Sequence, residues 1–296
     1  MSLLSRRTAL RGAAVAGAGV LGMNAQSAAA EGAPPAPADA QVRITVLGSA
    51  GAVPTMAEPC SGYLLECAGY RVILDFGYAT FPALLRHCAP EQVDAVLITH
   101  RHPDHVADLS PFLRARAFRR DLNLPPVPVY APAGALDPVL ELDRAEFIGT
   151  PYTQHVIEPP SAFRLGPFQV ETVGLPHYEP NIGFRISAGG VTVAYTGDTG
   201  PDERLIALAQ NADLFLAQAM YATEVPPRDH GNMCSAVDVG RFAAEADAAE
   251  LMLTHLYLMK GVTPADARAA ARSHYRGPIT VARSGHTWSR RLRRPV

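Results

Sequence analysis

Short apolar or alternating runs in the first two thirds of the chain predict strands, several of them joined as hairpins. Val42 to Leu47 alternates apolar and polar side chains, which is typical of a half-buried strand. Residues 62–67 and 70–76 are two further strand-like runs, and Ala68-Gly69 between them is a hairpin signal. The other elements predicted here are strands at 93–99, 168–173, 184–187 and 191–195 and helices at 81–87 and 108–119.

Helix and strand alternate in the last third of the chain. The pattern predicts helices at 205–210 and 237–248 and extended segments at 214–217 and 251–254. Hairpins followed by such alternation favour a layered α/β sandwich over a doubly wound parallel sheet. No sequence repeat is visible and no linker divides 41–296, so we expect one domain over that range.

The first thirty residues have the organisation of an export signal. Three arginines precede an apolar run at 12–22, and small residues close the segment at 27–30. The run is shorter than the roughly 20 residues that span a bilayer. The pair Arg6-Arg7 resembles a twin-arginine signal, although Ala9 stands where that motif usually has Phe.

We therefore expect three segments in the chain. Residues 1–30 are predicted to be an export signal peptide, 31–40 a Pro/Ala-rich linker, and 41–296 the folded domain. No other apolar run is long enough to cross a membrane. The mature protein is therefore expected to be exported, to the periplasm or outside the cell, without a stable membrane span.

Composition and charge exclude several classes of protein. The chain has 296 residues, of which 48% are hydrophobic and 18% charged, which excludes a mostly disordered chain. A formal net charge of −2 argues against a protein that grips a long stretch of nucleic acid. Four cysteines are too few for a disulfide scaffold, and pairing of Cys60 with Cys67 stays open.

Three imidazoles and a carboxylate lie within six positions, directly after the buried strand predicted at 93–99. The segment reads His100-Arg101-His102-Pro103-Asp104-His105. In an extended chain the first two histidines point the same way, whereas Pro103 breaks the extension and turns the last two side chains toward a second point. This arrangement suits two metal ions a few ångströms apart.

Three more candidate ligands each follow an apolar strand, namely His177, Asp198 and His255. A single histidine or aspartate in that position is usually a cap or a hydrogen-bonded loop residue. Several such residues, each at the end of a different strand, can instead gather on one face and form a rigid set of ligands.

Together these motifs resemble the metallo-β-lactamase superfamily. The resemblance rests on His-x-His-x-Asp-His, a later His, Gly-Asp-Thr at 197–199 and Leu-Thr-His-Leu at 253–256, and it covers nearly all of 42–284. It implies an αββα four-layer sandwich with a dinuclear metal site along one edge. It also implies that His100, His102 and His177 hold one ion. Asp104, His105 and His255 would hold the other, and Asp198 would bridge both.

The chemistry implied by the resemblance is hydrolysis by a metal-bridging hydroxide. Two divalent ions lower the pKa of bound water to about 7 and leave the site positive, which favours an anionic small-molecule substrate. Zn²⁺ is the first choice, and Mn²⁺ or Fe²⁺ would also fit nitrogen and oxygen ligands.

Asp198 and His230 indicate the branch of the superfamily. True β-lactamases of this superfamily generally lack a bridging carboxylate at the position of Asp198. The segment 229–233 and the segment 73–77 resemble the ribonuclease Z-like branch, which implies that His230 assists at the phosphate of the scissile ester. Asp104 is the other candidate catalytic residue.

The expected substrate is a small phosphodiester and not a long nucleic acid. Enzymes that mature transfer RNA carry a long basic arm, and the short interval between His177 and Asp198 has no room for one. The resemblance is therefore to arm-less phosphodiesterases of the branch.

Two other functions stay open. A lactone or carboxylic ester hydrolase would use the same metals, with Tyr178 or His230 meeting the oxyanion. A non-hydrolytic iron oxidoreductase, or a metal-binding protein of the same fold, would need the same ligands. The physiological substrate and the oligomeric state are not encoded in these motifs, and the sequence is compatible with an oligomer.

Overall fold

The structure is a computed structural model that describes residues 40–144, 148 and 151–293. The predicted signal peptide, 1–30, lies outside these residues. So does the predicted linker, 31–40, except for Ala40.

The first part of the described chain supplies most of one sheet and the helices that cover it. Its strands are β1 (Gln41–Gly48), β2 (Gly62–Cys67), β3 (Tyr70–Phe76), β4 (Ala95–Leu97), β5 (Val127–Ala131) and β6 (Tyr152–Val156). Its helices are α1 (Thr80–Leu84), α2 (Pro103–Val106), α3 (Leu109–Ala117) and α4 (Asp137–Leu140).

The second part supplies the other sheet and closes the first. Its strands are β7 (Ala162–Leu165), β8 (Phe168–Leu175), β9 (Asn181–Ala188), β10 (Val191–Tyr195), β11 (Leu214–Gln218), β12 (Leu251–Thr254), β13 (Ile279–Val281) and β14 (Thr287–Arg291). Its helices are α5 (Arg204–Ala209), α6 (Ala236–Glu245) and α7 (Pro264–Arg272).

Two mixed sheets face each other, each with helices on its outer side. The strand order is β14-β1-β2-β3-β4-β5-β6 in one sheet and β13-β12-β11-β10-β9-β8-β7 in the other. Apolar side chains of both sheets, such as Ile44, Phe168 and Phe184, form the central layer. Separate apolar clusters lie beneath α1–α4 and beneath α5–α7. The predicted αββα sandwich is confirmed.

The sequence pattern located the central strands better than the edges. The hairpin of β2 and β3 has the predicted bounds, and the positive φ angles of Ala68 (50°) and Gly69 (85°) form its tight turn. The four strands at the sheet edges, β14, β6, β13 and β7, were missed because each is only three to five residues long, too short to show a clear periodicity. Pro128 interrupts the apolar pattern of β5, which was also missed.

Several ligand-bearing strands end at the same edge of their sheet. Strands β3 and β4 run parallel in the first sheet, and β10, β11 and β12 run parallel in the second. Strand β8 has the same direction as β10, because both pair antiparallel with β9. The carboxyl ends of these strands, where the candidate ligands follow, therefore lie together along one edge of each sheet.

Two further expectations can be compared with the described residues. None of the helices described there is long and apolar enough to span a bilayer. The four cysteines are all buried and unpaired, so Cys60 and Cys67 do not form a disulfide in this structure.

Candidate metal centre

The six-residue motif after β4 changes direction at Pro103. His102 is extended, with φ −62° and ψ 141°, and it caps α2, which begins at Pro103. Proline suits this first helical position because its missing N–H would have no partner there. His100 and His102 therefore precede the turn, whereas Asp104 and His105 lie within the first turn of α2, as the sequence predicted.

His100, His102 and His177 form the first group of candidate ligands. The Nδ1 atom of His102 lies 3.1 Å from Nε2 of His100 and 3.1 Å from Nε2 of His177. These separations are close to the roughly 3.3 Å between two nitrogens that coordinate one zinc ion tetrahedrally at about 2.0–2.1 Å. One ring nitrogen cannot satisfy two such neighbours by hydrogen bonding alone, since it carries either one proton or one lone pair.

The outer nitrogens of two of these rings are already occupied. His177 donates from Nδ1 to the carbonyl oxygen of Asn232 at 3.0 Å. Nδ1 of His100 lies 3.0 Å from the hydroxyl of Thr99, whose own proton goes to the Asp75 carboxylate. Both Nε2 atoms therefore carry lone pairs directed into the group, which is the tautomer a metal ion requires.

Asp104, His105, Asp198 and His255 form the second group, and all four are buried. The Oδ2 atom of Asp104 lies 3.0 Å from Nε2 of His255 and 3.7 Å from Nε2 of His105. The backbone N–H of Ala52 donates to the same oxygen at 2.8 Å.

Asp198 connects the two groups. Its Oδ1 lies 3.3 Å from Nε2 of His105, and its Oδ2 lies 3.2 Å from Nε2 of His255 and 4.0 Å from Nε2 of His177. The preceding Gly197 has φ +58°, and a Cβ there would lie 2.7 Å from Cβ of Thr99. Glycine is thus required to bring this carboxylate to the edge where the sheets meet.

Three buried atoms of the second group have no hydrogen-bond partner within the described residues, namely Nδ1 of His255, Nε2 of His105 and Oδ1 of Asp198. The last two face each other at 3.3 Å. An unsatisfied buried polar atom costs about 1–3 kcal/mol, so such pairs call for an explanation. A coordinated cation would satisfy both atoms at once. The donor set of imidazoles and carboxylates therefore fits divalent metal ions.

The protonation states of the carboxylates also suit cation binding. Burial by itself would raise the pKa of Asp104, but the neighbouring His105 and His255 outweigh it and hold that pKa well below its usual value. The pKa of Asp198 is lowered in the same way, by His255 and His105 against the effect of burial. Both carboxylates are therefore ionised at neutral pH.

The imidazoles respond to the same surroundings in opposite directions. Burial and the neighbouring rings hold the pKa of His100 well below its usual value, and burial also lowers the pKa of His177. Burial opposes protonation of His105 too, but Asp198, Asp75 and Asp104 outweigh it and raise its pKa. His100 and His177 thus offer neutral nitrogens, and the surroundings of His105 attract positive charge.

Asp75 supports the site, and sequence reasoning missed this role. Its buried Oδ2 accepts hydrogen bonds from Nδ1 of His105 at 2.7 Å and from the hydroxyl of Tyr195 at 2.6 Å, and Oδ1 accepts the N–H of Thr99 at 2.7 Å. The bond to His105 fixes that ring with Nε2 facing the second group. In the sequence, the segment 73–77 indicates only the resemblance to the ribonuclease Z-like branch.

Backbone strain accompanies this arrangement. Asp75 has φ +58° and His255 has φ +59°, a left-handed conformation that is uncommon for residues other than glycine. Such conformations persist where the surrounding structure enforces them, and they concentrate at functional sites. Gly51 permits one of the close approaches, because a Cβ there would lie 2.6 Å from the carbonyl oxygen of His255.

His230 belongs to neither ligand group. Its side chain is exposed, and its Nε2 lies 2.7 Å from the carbonyl oxygen of Val225, to which it donates. Two residues later, Asn232 makes the carbonyl contact with His177. The loop that carries His230 therefore touches the metal centre, whereas the imidazole itself has a backbone partner. Its predicted catalytic role stays a prediction.

Comparison with known proteins gives a consistent set of relatives. Residues 71–256 match the family described as the beta-lactamase superfamily domain. The chain is 30% identical over 253 residues to the probable metallo-hydrolase YhfI of Bacillus subtilis, covering 83% of this chain and 99% of that protein. It is 25% identical over 299 residues to the ribonuclease Z of Haloferax volcanii, covering 82% of this chain and 93% of the relative.

A solved structure shows the same architecture. The crystal structure of the metallo-beta-lactamase fold protein YhfI from Bacillus subtilis superposes with a TM-score of 0.75 at 28% sequence identity. The superposition covers 84% of this chain and 99% of the YhfI chain.

Removing a ligand from either group should lower metal content and activity together. We expect His102→Ala and Asp104→Ala each to lose bound metal, measured by elemental analysis of the purified protein, because each leaves an incomplete ligand set. The exposed His274, which lies in neither group, provides the control substitution His274→Ala. Wild-type metal content in both ligand variants would refute the site.

Replacing Asp75 with Asn should weaken metal binding without removing a ligand. The amide keeps the shape but loses the charge that orients His105, so we expect metal affinity to fall about 10- to 100-fold. Chelator competition measures the affinity, and thermal unfolding of the metal-free protein reports any purely structural damage. Asp94→Asn, on an exposed loop residue, is the matched control. Equal affinities in the two variants would contradict the positioning role.

Proposed function

Because the chain belongs to the beta-lactamase superfamily domain family and is a metallo-hydrolase of that superfamily, we propose that it is a dinuclear hydrolase of a small phosphodiester. The observation that carries the proposal is the contact between the two ligand groups through Asp198. One carboxylate oxygen approaches His105, and the other approaches both His255 and His177. Zinc is the first choice of metal, with manganese or iron as alternatives.

Each residue of the site has a defined task in this proposal. One ion would be held by His100, His102 and His177. The other would be held by Asp104, His105 and His255, and Asp198 would bind both ions. Divalent ions held there would polarise a phosphoryl oxygen and supply hydroxide from water near neutral pH. Asp104 and Asp198 balance part of the cationic charge and leave the centre positive, which favours an anionic substrate.

The connection between His177 and Asp198 supports a small substrate. Strands β9 and β10 and the tight turn between them at 189–190 take up most of this interval. It therefore contains no long arm that could bind RNA. The relatives named ribonuclease Z suggest phosphodiester chemistry, and the absence of an arm at this point of the described chain suggests a smaller ester. The formal net charge of −2 agrees with that choice.

His230 is proposed to assist at the phosphate of the scissile ester. Tyr178 and Tyr221 both donate hydrogen bonds to the carboxylate of Asp229, the residue before His230, and so hold its loop in place. Since Nε2 of His230 bonds to the Val225 carbonyl, Nδ1 is the ring atom left for a substrate. A histidine so placed is suited to general acid or base catalysis.

The alternative of a lactone or carboxylic ester hydrolase finds less support. Tyr178 would have met the oxyanion, but its hydroxyl proton is donated to Oδ1 of Asp229 at 2.6 Å. Burial and this hydrogen bond raise the pKa of Tyr178 to about 12, so the phenol stays protonated and engaged with Asp229. An iron oxidoreductase would use the same ligand set, and no described residue favours it.

The proposal also retains export. In residues 1–30 a basic segment, an apolar run and a group of small residues follow one another, and this order supports export. Twin-arginine transport would fit a protein that folds around metal before export. Sequencing of the N-terminus of protein recovered outside the cytoplasm should find a start near Glu31.

A panel of four substrates tests the reaction. We expect the metal-loaded protein to hydrolyse bis(4-nitrophenyl) phosphate with a kcat/KM about 100-fold above that for 4-nitrophenyl phosphate, an acyl homoserine lactone or 4-nitrophenyl acetate, a difference of about 2.7 kcal/mol in transition-state stabilisation. Asp104→Ala, stripped of metal, serves as the blank. A lactone or aryl ester that is hydrolysed faster would overturn the choice of substrate class.

The same panel examines His230. His230→Ala should lower kcat toward the phosphodiester more than toward the lactone, because the imidazole would stabilise charge that develops on a phosphoryl oxygen, which the lactone lacks. Similar losses on both substrates would count against a role at the phosphate.

A further inference from the structure

A cavity of about 510 Å³ opens between the loops that follow β11 and β12. Its lining includes Tyr221, Pro226, Arg228, Tyr257, Lys260 and Val262. A second cavity, of about 540 Å³, shares Tyr221, Lys260 and Val262 with the first. The two spaces are therefore neighbouring parts of one depression, which we call the Tyr221–Tyr257 cleft. Each falls within the roughly 300–1,000 Å³ usual for small-molecule sites.

Two of the cleft's lining residues, Tyr257 and Tyr221, are connected to candidate metal ligands through neighbouring residues. On one side, Tyr257 follows the candidate ligand His255 by two residues. On the other side, the ring of Tyr178 packs edge-on against the ring of His177, with 5.1 Å between centroids. Tyr178 shares the carboxylate of Asp229 with Tyr221, which lines the cleft.

The walls are held in place by the backbone. The carbonyl of Tyr221 accepts the N–H of Ala236 at 2.8 Å, at the start of α6. The N–H of Tyr257 donates to the carbonyl of Met220 at 3.1 Å, which ties the two loops to each other. A cleft with both walls fixed in this way loses little conformational entropy when a ligand binds.

The chemistry of the lining favours a flat aromatic group next to negative charge. The rings of Tyr221 and Tyr257 lie 6.5 Å apart at 71°, with Pro226 and Val262 adding apolar surface. Aromatic side chains stabilise a stacked or edge-on ring beyond the area they bury. In the first cavity Lys260 and Arg228 carry positive charge, although Arg228 also pairs with Asp229 at 3.3 Å. Glu224 and Asp266 line the second cavity, so the first is the part that suits an anionic ester.

We propose that the Tyr221–Tyr257 cleft binds a planar aromatic group of the substrate while the phosphoryl group lies at the metal centre. The substrate class is then an aryl or heteroaryl phosphodiester. This inference rests on the proposed function, because it assumes that the metal centre receives the phosphoryl group.

Two phosphonates that differ only in their organic group test the cleft. Calorimetric titration of the metal-loaded protein with phenylphosphonate and with methylphosphonate needs no turnover. We expect phenylphosphonate to bind about 10-fold more tightly, because only its ring reaches the tyrosines. Tyr257→Leu should reduce this ratio to near one, and Tyr257→Phe should preserve it.

A second variant guards against misfolding of Tyr257→Leu. Val262→Trp fills the cleft from another position and should also lower the ratio. Met259→Ala is the matched control, since Met259 lies in the same loop, is 63% exposed and does not line the cleft. It should keep the wild-type ratio.

The outcomes separate this inference from the proposed function. If both phosphonates bind wild type equally, or if the ratio survives in Tyr257→Leu and Val262→Trp, the cleft does not bind the aromatic group and the inference is overturned. Hydrolysis of phosphodiesters would then still stand. If neither phosphonate binds and bis(4-nitrophenyl) phosphate is not hydrolysed, the metal centre does not receive a phosphoryl group, and the proposed function fails together with the inference. If neither phosphonate binds but the diester is hydrolysed, only the inference is overturned.

Discussion

Burial of ionised carboxylates beside imidazoles, at the edge where two sheets meet, is the constraint on which the site depends. Asp104 is 7% exposed and Asp198 is 2% exposed, and a buried charge must be compensated. Histidines compensate part of that charge and also point lone pairs into the same space. The unsatisfied atoms of His105 and Asp198 that face each other are those that a divalent cation would bind. Metal binding and the stability of this edge are therefore coupled.

Both sheets contribute to holding this arrangement rigid. Asp75, from the end of β3, accepts hydrogen bonds from His105 and from Tyr195 at the end of β10. The ring of Tyr195 packs edge-on against Tyr63, whose hydroxyl lies 2.5 Å from the hydroxyl of Thr254, the residue before His255. A chain of buried contacts thus links strands of the two sheets to ligands in both halves of the sequence, which lets a rigid scaffold orient the site.

The loops around this rigid centre carry polar and aromatic side chains that are not candidate metal ligands. The loop after β11 brings the Asn232 carbonyl to the ligand His177 and the Asp229 carboxylate to Tyr178. The loop after β12 carries Tyr257, two residues after the ligand His255. The ligand set explains how a metal-dependent hydrolase can work. Fold alone does not specify a substrate, and loops on a rigid scaffold commonly carry the residues that do.

The sequence by itself determined the layered architecture, the inner strands other than β5 and the seven candidate ligands, because these ligands lie in motifs that follow apolar strands with a local pattern. The edge strands escaped it, since each is only three to five residues long and so short a run shows little periodicity. Only the tertiary structure decided the role of Asp75, whose partners His105 and Tyr195 lie 30 and 120 positions away. It alone also gave His230 a backbone partner and formed the Tyr221–Tyr257 cleft. Hydrogen bonds and cavities between remote segments leave no local periodicity, and so no sequence pattern could predict them.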